Sequence, residues 1–150
     1  MIRLFLPLAL IAALPFSVQA QERHPEPASP PAGKGMVVRE ADTMVRQPPP
    51  HNGTGMSTAY RISDGVPNRA MEFRKRVLHP GASIGLHVIA HDEVYHVLSG
   101  EGDVTSDGVT TRVRAGDTAY LYDGNNVGIR QVGEQDLVLI IAYPLAERAK

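Results

Sequence analysis

The folded part of this chain is interrupted too often for helices. Short runs of β-branched, aromatic and aliphatic residues recur, each ended by Gly, Pro, Asn or Asp. In order they read "MVVRE", "TMVRQ", "STAYRIS", "MEFRKRVL", "SIGLHVI", "EVYHVLSG", "DVTS", "VTTRVR", "TAYLY", "VGIRQV" and "DLVLIIAYP". Runs of this length and spacing predict the strands of an all-β sandwich or barrel. Asp107-Gly108, between "DVTS" and "VTTRVR", is the strongest two-residue hairpin signal. No stretch of normal helix length shows a 3.6-residue apolar period, and no internal repeat is visible. "LVLIIAY" is apolar without alternation, which predicts a strand covered on both faces, either central or at a subunit contact.

The first 35 residues stand apart from this pattern. A charged start (Met1-Ile2-Arg3), an apolar stretch from Leu4 to Leu14, and small residues at Val18 and Ala20 predict a signal peptide over 1–20, cleaved after Ala20. Its apolar stretch is short of the ~20 residues a membrane-spanning helix needs, and no later segment qualifies. The expectation is an exported protein with no membrane span, in the periplasm. Residues 21–35 carry Pro25, Pro27, Pro30 and Pro31 and read as an extended linker, with His24 an ordinary tail residue. Residues 36–150 form one domain, large enough to bury a core without staples. The chain has no cysteine, so disulfides, thiolate ligands and a thiol nucleophile are excluded. With a net charge of -1 and no basic run, nothing suggests a nucleic-acid partner, and none is expected.

Chemistry concentrates in "HPGASIGLHVIAHDEVYHVLSGEG", His79 to Gly102, which holds four of the six histidines. Along an extended chain His87 and Ile89 share one face. Beyond a turn at His91-Asp92, Glu93, Tyr95 and Val97 share a face, and His96 lies on the other. A hairpin would set His87 beside Glu93 inside a barrel, a nitrogen and a carboxylate suited to a divalent metal.

The spacing resembles the cupin superfamily, small RmlC-like jelly-roll barrels of double-stranded β-helix type. Gly81, His87, Glu93 and Gly100 occupy the fixed points of the first cupin motif, with Ile89 where the second histidine belongs. Gly116 and Gly124 keep the register of the second motif, but Tyr122, Val127 and Gln131 replace its Pro, His and Asn. The resemblance spans about residues 57 to 143. It implies that His87 and Glu93 carry over as metal ligands, while Ile89 and Val127 cannot coordinate. A metal such as Zn, Fe, Mn or Ni would then rest on His87, Glu93 and a compensating His91, with His51 a further donor if its segment folds over the barrel mouth. The alternatives are that His91 is an exposed turn residue and His51 a loop residue. Without a metal, His87 is the expected partner of Glu93.

Other inward candidates are Tyr95, on the face of Glu93, and Gln131, on the face of Val127 and Ile129, which could orient a ligand in a pocket. One of Tyr60, Tyr120 and Tyr122 could join them. His96 is expected on the outer sheet surface or a dimer contact, and His79 in a turn. Arg61, Arg74, Lys75 and Arg76 are candidates for an anionic substrate. Any of them that is buried needs a partner such as Glu93.

Three functions follow. The first is a protein that holds a small molecule in its barrel beside a degenerate metal site. The second is a metal-dependent dioxygenase, isomerase or lyase acting on a small organic acid or sugar through a rearranged His/Glu site. The third is a structural or interaction protein without a pocket. The resemblance also implies a homodimer through sheet faces, with "MVVRE" adding to a neighbour's edge.

Overall fold

The computed structural model describes residues 33–145, all inside one unit that runs from Pro31 to Lys150. The expected signal peptide over 1–20 and most of the proline-rich segment over 21–35 lie outside the described residues. Ten strands follow in chain order: β1 (Met44–Gln47), β2 (Ser57–Tyr60), β3 (Met71–Leu78), β4 (Ser83–Val88), β5 (Glu93–Ser99), β6 (Glu101–Ser106), β7 (Val109–Arg114), β8 (Thr118–Leu121), β9 (Asn126–Val132) and β10 (Leu137–Pro144). They form two antiparallel sheets. One has the order β1-β2-β3-β10-β5-β8 and the other β4-β9-β6-β7. This is a barrel of the all-β kind that the spacing of the runs predicts, and of the jelly-roll type that the cupin resemblance implies.

The Asp107-Gly108 turn joins β6 to β7, and both residues have positive φ, as a tight two-residue hairpin requires. The core lies between the sheets. Leu78, Val97, Leu137 and Leu139 close one end with no more than 1% exposure, and Val104, Val113, Val127 and Ile129 face them from the smaller sheet.

Three expectations are corrected. "MVVRE" is not a strand: Val37 is exposed, and the chain enters a single 3-10 turn over Glu40–Thr43 before β1 begins. With no apolar alternation to bury and no neighbour to pair with, that run stays outside the sheet. "LVLIIAY" is central, flanked by β3 and β5, but only its Leu137, Leu139 and Ile141 face is fully buried. His87 and Glu93 do not share a hairpin, because β4 pairs with β9 while β5 pairs with β10 and β8. They meet instead as opposite walls of the barrel.

The strand that matters most for function is β3. Glu72 and Arg76 are buried and Arg74 half-buried on its inner face, while Met71 and Phe73 are exposed on the outer one. The charged face of this strand points in and its apolar face points out.

Candidate functional site

A cavity of about 310 Å³ opens between the sheets at one end of the barrel. Arg74, Arg76, Glu93, Tyr95, Ile141 and Tyr143 form one wall, and His51, Ile84, His87, Ile89 and His91 form the other. The strand registers explain the first wall. Arg74, Ile141 and Tyr95 lie in one cross-strand row, and Arg76, Leu139 and Val97 in the next. Three neighbouring strands therefore present two guanidinium groups, a carboxyl group and two phenols to a single space.

The two arginines are held differently. Arg74 donates through Nε to Glu72 at 3.0 Å and through Nη2 to the Tyr143 hydroxyl at 3.2 Å. Glu72 is 1% exposed and also accepts from Arg69 at 3.2 Å, so its buried charge is shared by two cations. Arg76 is 2% exposed, and its bond is to a neutral group, the Ser57 hydroxyl at 3.0 Å. Its Nε is buried with no hydrogen-bond partner. Burial, and then the charges of Arg74 and Arg61, push the Arg76 guanidinium down to about 10, so it stays charged at neutral pH. A buried cation without a carboxylate is costly unless an anion joins it.

Glu93 is 5% exposed and has no cation in direct contact. Burial pushes its carboxyl up to about 7, with Arg74 pulling the other way. His91 turns into the pocket. Its ring stacks on Tyr143 at 4.1 Å, and its buried Nε2 lies 3.8 Å from Glu93 Oε2 with no hydrogen-bond partner. Burial lowers its pKa, which keeps the ring neutral. His87 is oriented by the bond between its Nδ1 and the Gly85 carbonyl at 3.0 Å, and this bond takes the place of the expected contact with Glu93. Tyr95 is buried on the pocket wall, and its hydroxyl is pushed upward by burial and by Glu93.

Several expected residues sit elsewhere. Gln131 does not line this pocket. Its amide accepts from the Gly81 backbone at 2.8 Å and donates to the Gly133 and Gln135 carbonyls, so all its capacity goes into clamping loops. Tyr120 and Tyr122 are exposed, and Tyr60 lies under Lys75 on the outer face. His96 bonds Thr118 at 2.8 Å, and His79 bridges Thr58 and Asp136. The direct partners of the inward arginines are Ser57, Glu72 and Tyr143 rather than Glu93.

The segment over 48–55 folds across the pocket mouth. Pro50 accepts from Gly85 at 3.3 Å, Thr54 accepts from Ser83 at 3.0 Å, and Thr54 Oγ1 reaches the Gly81 carbonyl at 2.9 Å. His51 thereby stacks on His87, with ring centroids 3.4 Å apart and planes 4° from parallel.

The donor set does not suit a metal. Ile89 and Val127 are buried aliphatic side chains at the two positions where the cupin pattern has histidines. Among the described residues, no three His, Cys, Asp or Glu side chains converge on one point.

Two sheets closed around a polar pocket, with fixed points of both cupin motifs in place, define a small jelly-roll barrel of the cupin class. The comparisons agree. The family model for the cupin domain matches residues 75–143. An oxalate-binding protein of Thermotoga maritima is 34% identical over 109 residues, covering 70% of this chain and 90% of the relative. The chain belongs to the cupin family. The crystal structure of a predicted oxalate decarboxylase from the same organism is similar at 30% identity and a TM-score of 0.66, covering 73% of this chain and 99% of that one. A polyketide cyclase from Streptomyces resistomycificus, at 18% identity and a TM-score of 0.62 over 74% of this chain and 80% of its own, shares the fold.

Proposed function

We propose that this chain is an exported cupin-domain protein that binds a small carboxylate anion in its barrel, beside a metal site that has degenerated. The observation that carries this is Arg76, a buried guanidinium on the pocket wall with a free Nε and no carboxylate to neutralise it. The cavity, about 310 Å³, is at the small end of ligand pockets and suits an organic acid of a few carbons better than a sugar. Similarity to an oxalate-binding protein supports the same ligand class. Arg74 is already neutralised by Glu72, so Arg76 offers the uncompensated charge. With no convergent donor set, binding rests on Arg76 and the pocket's hydrogen-bonding groups.

The test is calorimetric titration of the mature protein with oxalate, formate and acetate, using oxamide as the uncharged control. Oxalate is expected to bind and oxamide to fail. Arg76→Met keeps the buried stem and removes the charge. It is expected to weaken oxalate binding about 30-fold, or about 2 kcal/mol, with the melting temperature unchanged or raised, because a buried charge is replaced by an apolar group. Equal oxalate affinity in Arg76→Met would overturn the reading. So would a stoichiometric metal in the purified protein that disappears in His87→Ala.

The outer face of the six-stranded sheet supports a homodimer. Met71, Phe73, Leu98 and Tyr120 are each more than a third exposed there. Six strands about 4.8 Å apart and up to eight residues long give a face of about 600 Å² per copy, near the lower end of stable interfaces. Sedimentation of the mature protein is expected to give twice the chain mass, and Phe73→Glu to give the monomer.

A further inference from the structure

We infer that His51 is the ligand-retaining and size-limiting residue of the anion pocket, carried over the mouth by a strap that two glycines allow to lie directly on β4. The inference rests on the anion-binding reading for what the pocket holds, but the placement of the strap stands on its own. Gly53 and Gly85 are where backbone meets backbone. A Cβ on Gly85 would come within 1.9 Å of the His51 carbonyl, and one on Gly53 within 1.8 Å of the Ser83 carbonyl. No residue with a Cβ permits that approach, and both positions are glycine where the strap crosses the strand.

The strap is also bent at the right place. His51 and Asn52 both have positive φ, 57° and 56°, and turn the chain back over the barrel. Asn and His tolerate this conformation better than most side chains, and a local departure of this kind points to a role rather than to packing alone. The hydrogen bonds of Pro50 and Thr54 pin the strap on either side of the bend. The bend puts the His51 ring flat on His87, whose own ring is fixed by Gly85. The two imidazoles form one wall of the cavity opposite Arg76 and Arg74. His51 itself remains exposed on its outer side, so its ring separates the bound anion from solvent. Removing the ring opens the site outward without touching a guanidinium. An anion then leaves faster, and a larger carboxylate can enter.

The test uses three forms of the mature protein: wild type, His51→Gly and His51→Phe. Phe restores a flat ring on His87 without the nitrogens. Calorimetry and stopped-flow dissociation are run with oxalate and with benzoate as the oversized probe. Arg76 modification by phenylglyoxal is followed by peptide mass spectrometry without any ligand. His51→Gly is expected to release oxalate at least tenfold faster, to gain benzoate binding, and to let phenylglyoxal reach Arg76 several-fold faster. His51→Phe is expected to return all three towards wild type, with a melting temperature somewhat below the other two because Phe is strained at the positive φ of this position. Unchanged oxalate release and an unchanged Arg76 modification rate in His51→Gly would overturn the role of His51. If oxalate fails to bind wild type but Arg76 modification still accelerates, the strap's role stands and the carboxylate reading falls.

Discussion

Replacing Glu72 by glutamine is expected to destabilise the domain by about 3 kcal/mol, while strengthening oxalate binding. Glu72 is almost wholly buried and is the carboxylate partner of both Arg69 and Arg74. Removing its charge leaves the guanidinium groups of Arg74 and Arg76 on the pocket wall without a carboxylate, while Arg69 keeps Asp64 at 3.1 Å. Breaking a buried pair from one side costs more than the pair contributes, because the remaining charge stays desolvated. Arg69 and Arg74 are each about a quarter exposed, which places the loss at the lower end of the range for buried pairs. A fall of about 10 °C in melting temperature corresponds to this loss for a domain of this size.

The same change acts oppositely on the ligand. Arg74 lines the pocket, and with Glu72 neutral its charge is free to join that of Arg76. Oxalate affinity is expected to rise about tenfold, or about 1.4 kcal/mol. Saturating oxalate should then recover much of the lost melting temperature, since a ligand at a hundred times its dissociation constant stabilises by about 2.7 kcal/mol. Melting curves with and without oxalate check both halves. An unchanged melting temperature in Glu72→Gln would show that Glu72 does not hold this corner together. Weaker oxalate binding would show that Arg74 is a structural residue only.

The strands and turns were legible because they rest on local chemistry. Asp107-Gly108 forms its hairpin wherever it falls between two β-like runs, and the span of β3 matches "MEFRKRVL" residue for residue. Parity also placed Tyr95 and Glu93 on one inward face. Parity alone could not say which face of β3 points in. Met71, Phe73 and Val77 alternate with Glu72, Arg74 and Arg76, and burying the apolar set is the ordinary outcome. Here the charged set turns inward, because Glu72, the Tyr143 hydroxyl and Ser57 receive it, and those partners come from β3 itself, β10 and β2. The only local hint was Glu72 two residues before Arg74. Gln131 failed for a similar reason. Its inward parity was right, but the loops that saturate its amide lie near it only in the folded chain. His91 depended on Tyr143, 52 positions along the chain, for the ring that holds it inward.

Glu93 carries the last large effect, and its sign can be worked out. Burial raises its carboxyl from 4.5 to about 7, so between those values the folded chain holds a proton that the unfolded chain has lost. Stability from this group is complete at about pH 4 and falls as pH rises, levelling off above about pH 8. At 1.36 kcal/mol per unit, the whole change is about 3 kcal/mol. The groups facing Glu93 are Arg74, His91, His87, Tyr95 and Tyr143 around the same cavity. His51 and His91, whose pKa values are lowered by burial first of all, contribute in the opposite direction below their ordinary 6.5, where the unfolded chain binds the extra protons. Those histidines are common to wild type and Glu93→Gln, so the difference between the two isolates Glu93. Urea unfolding from pH 4 to pH 8 is expected to show the two proteins equal at the acid end and Glu93→Gln more stable by about 3 kcal/mol at the alkaline end. Parallel curves would mean that Glu93 is ionised throughout and finds a counter-charge in the folded state. The anion should follow the same proton. A neutral Glu93 can donate a hydrogen bond to a carboxylate held on Arg76, whereas an ionised one repels it, so oxalate affinity is expected to fall as pH rises through 7 in wild type and to stay flat in Glu93→Gln.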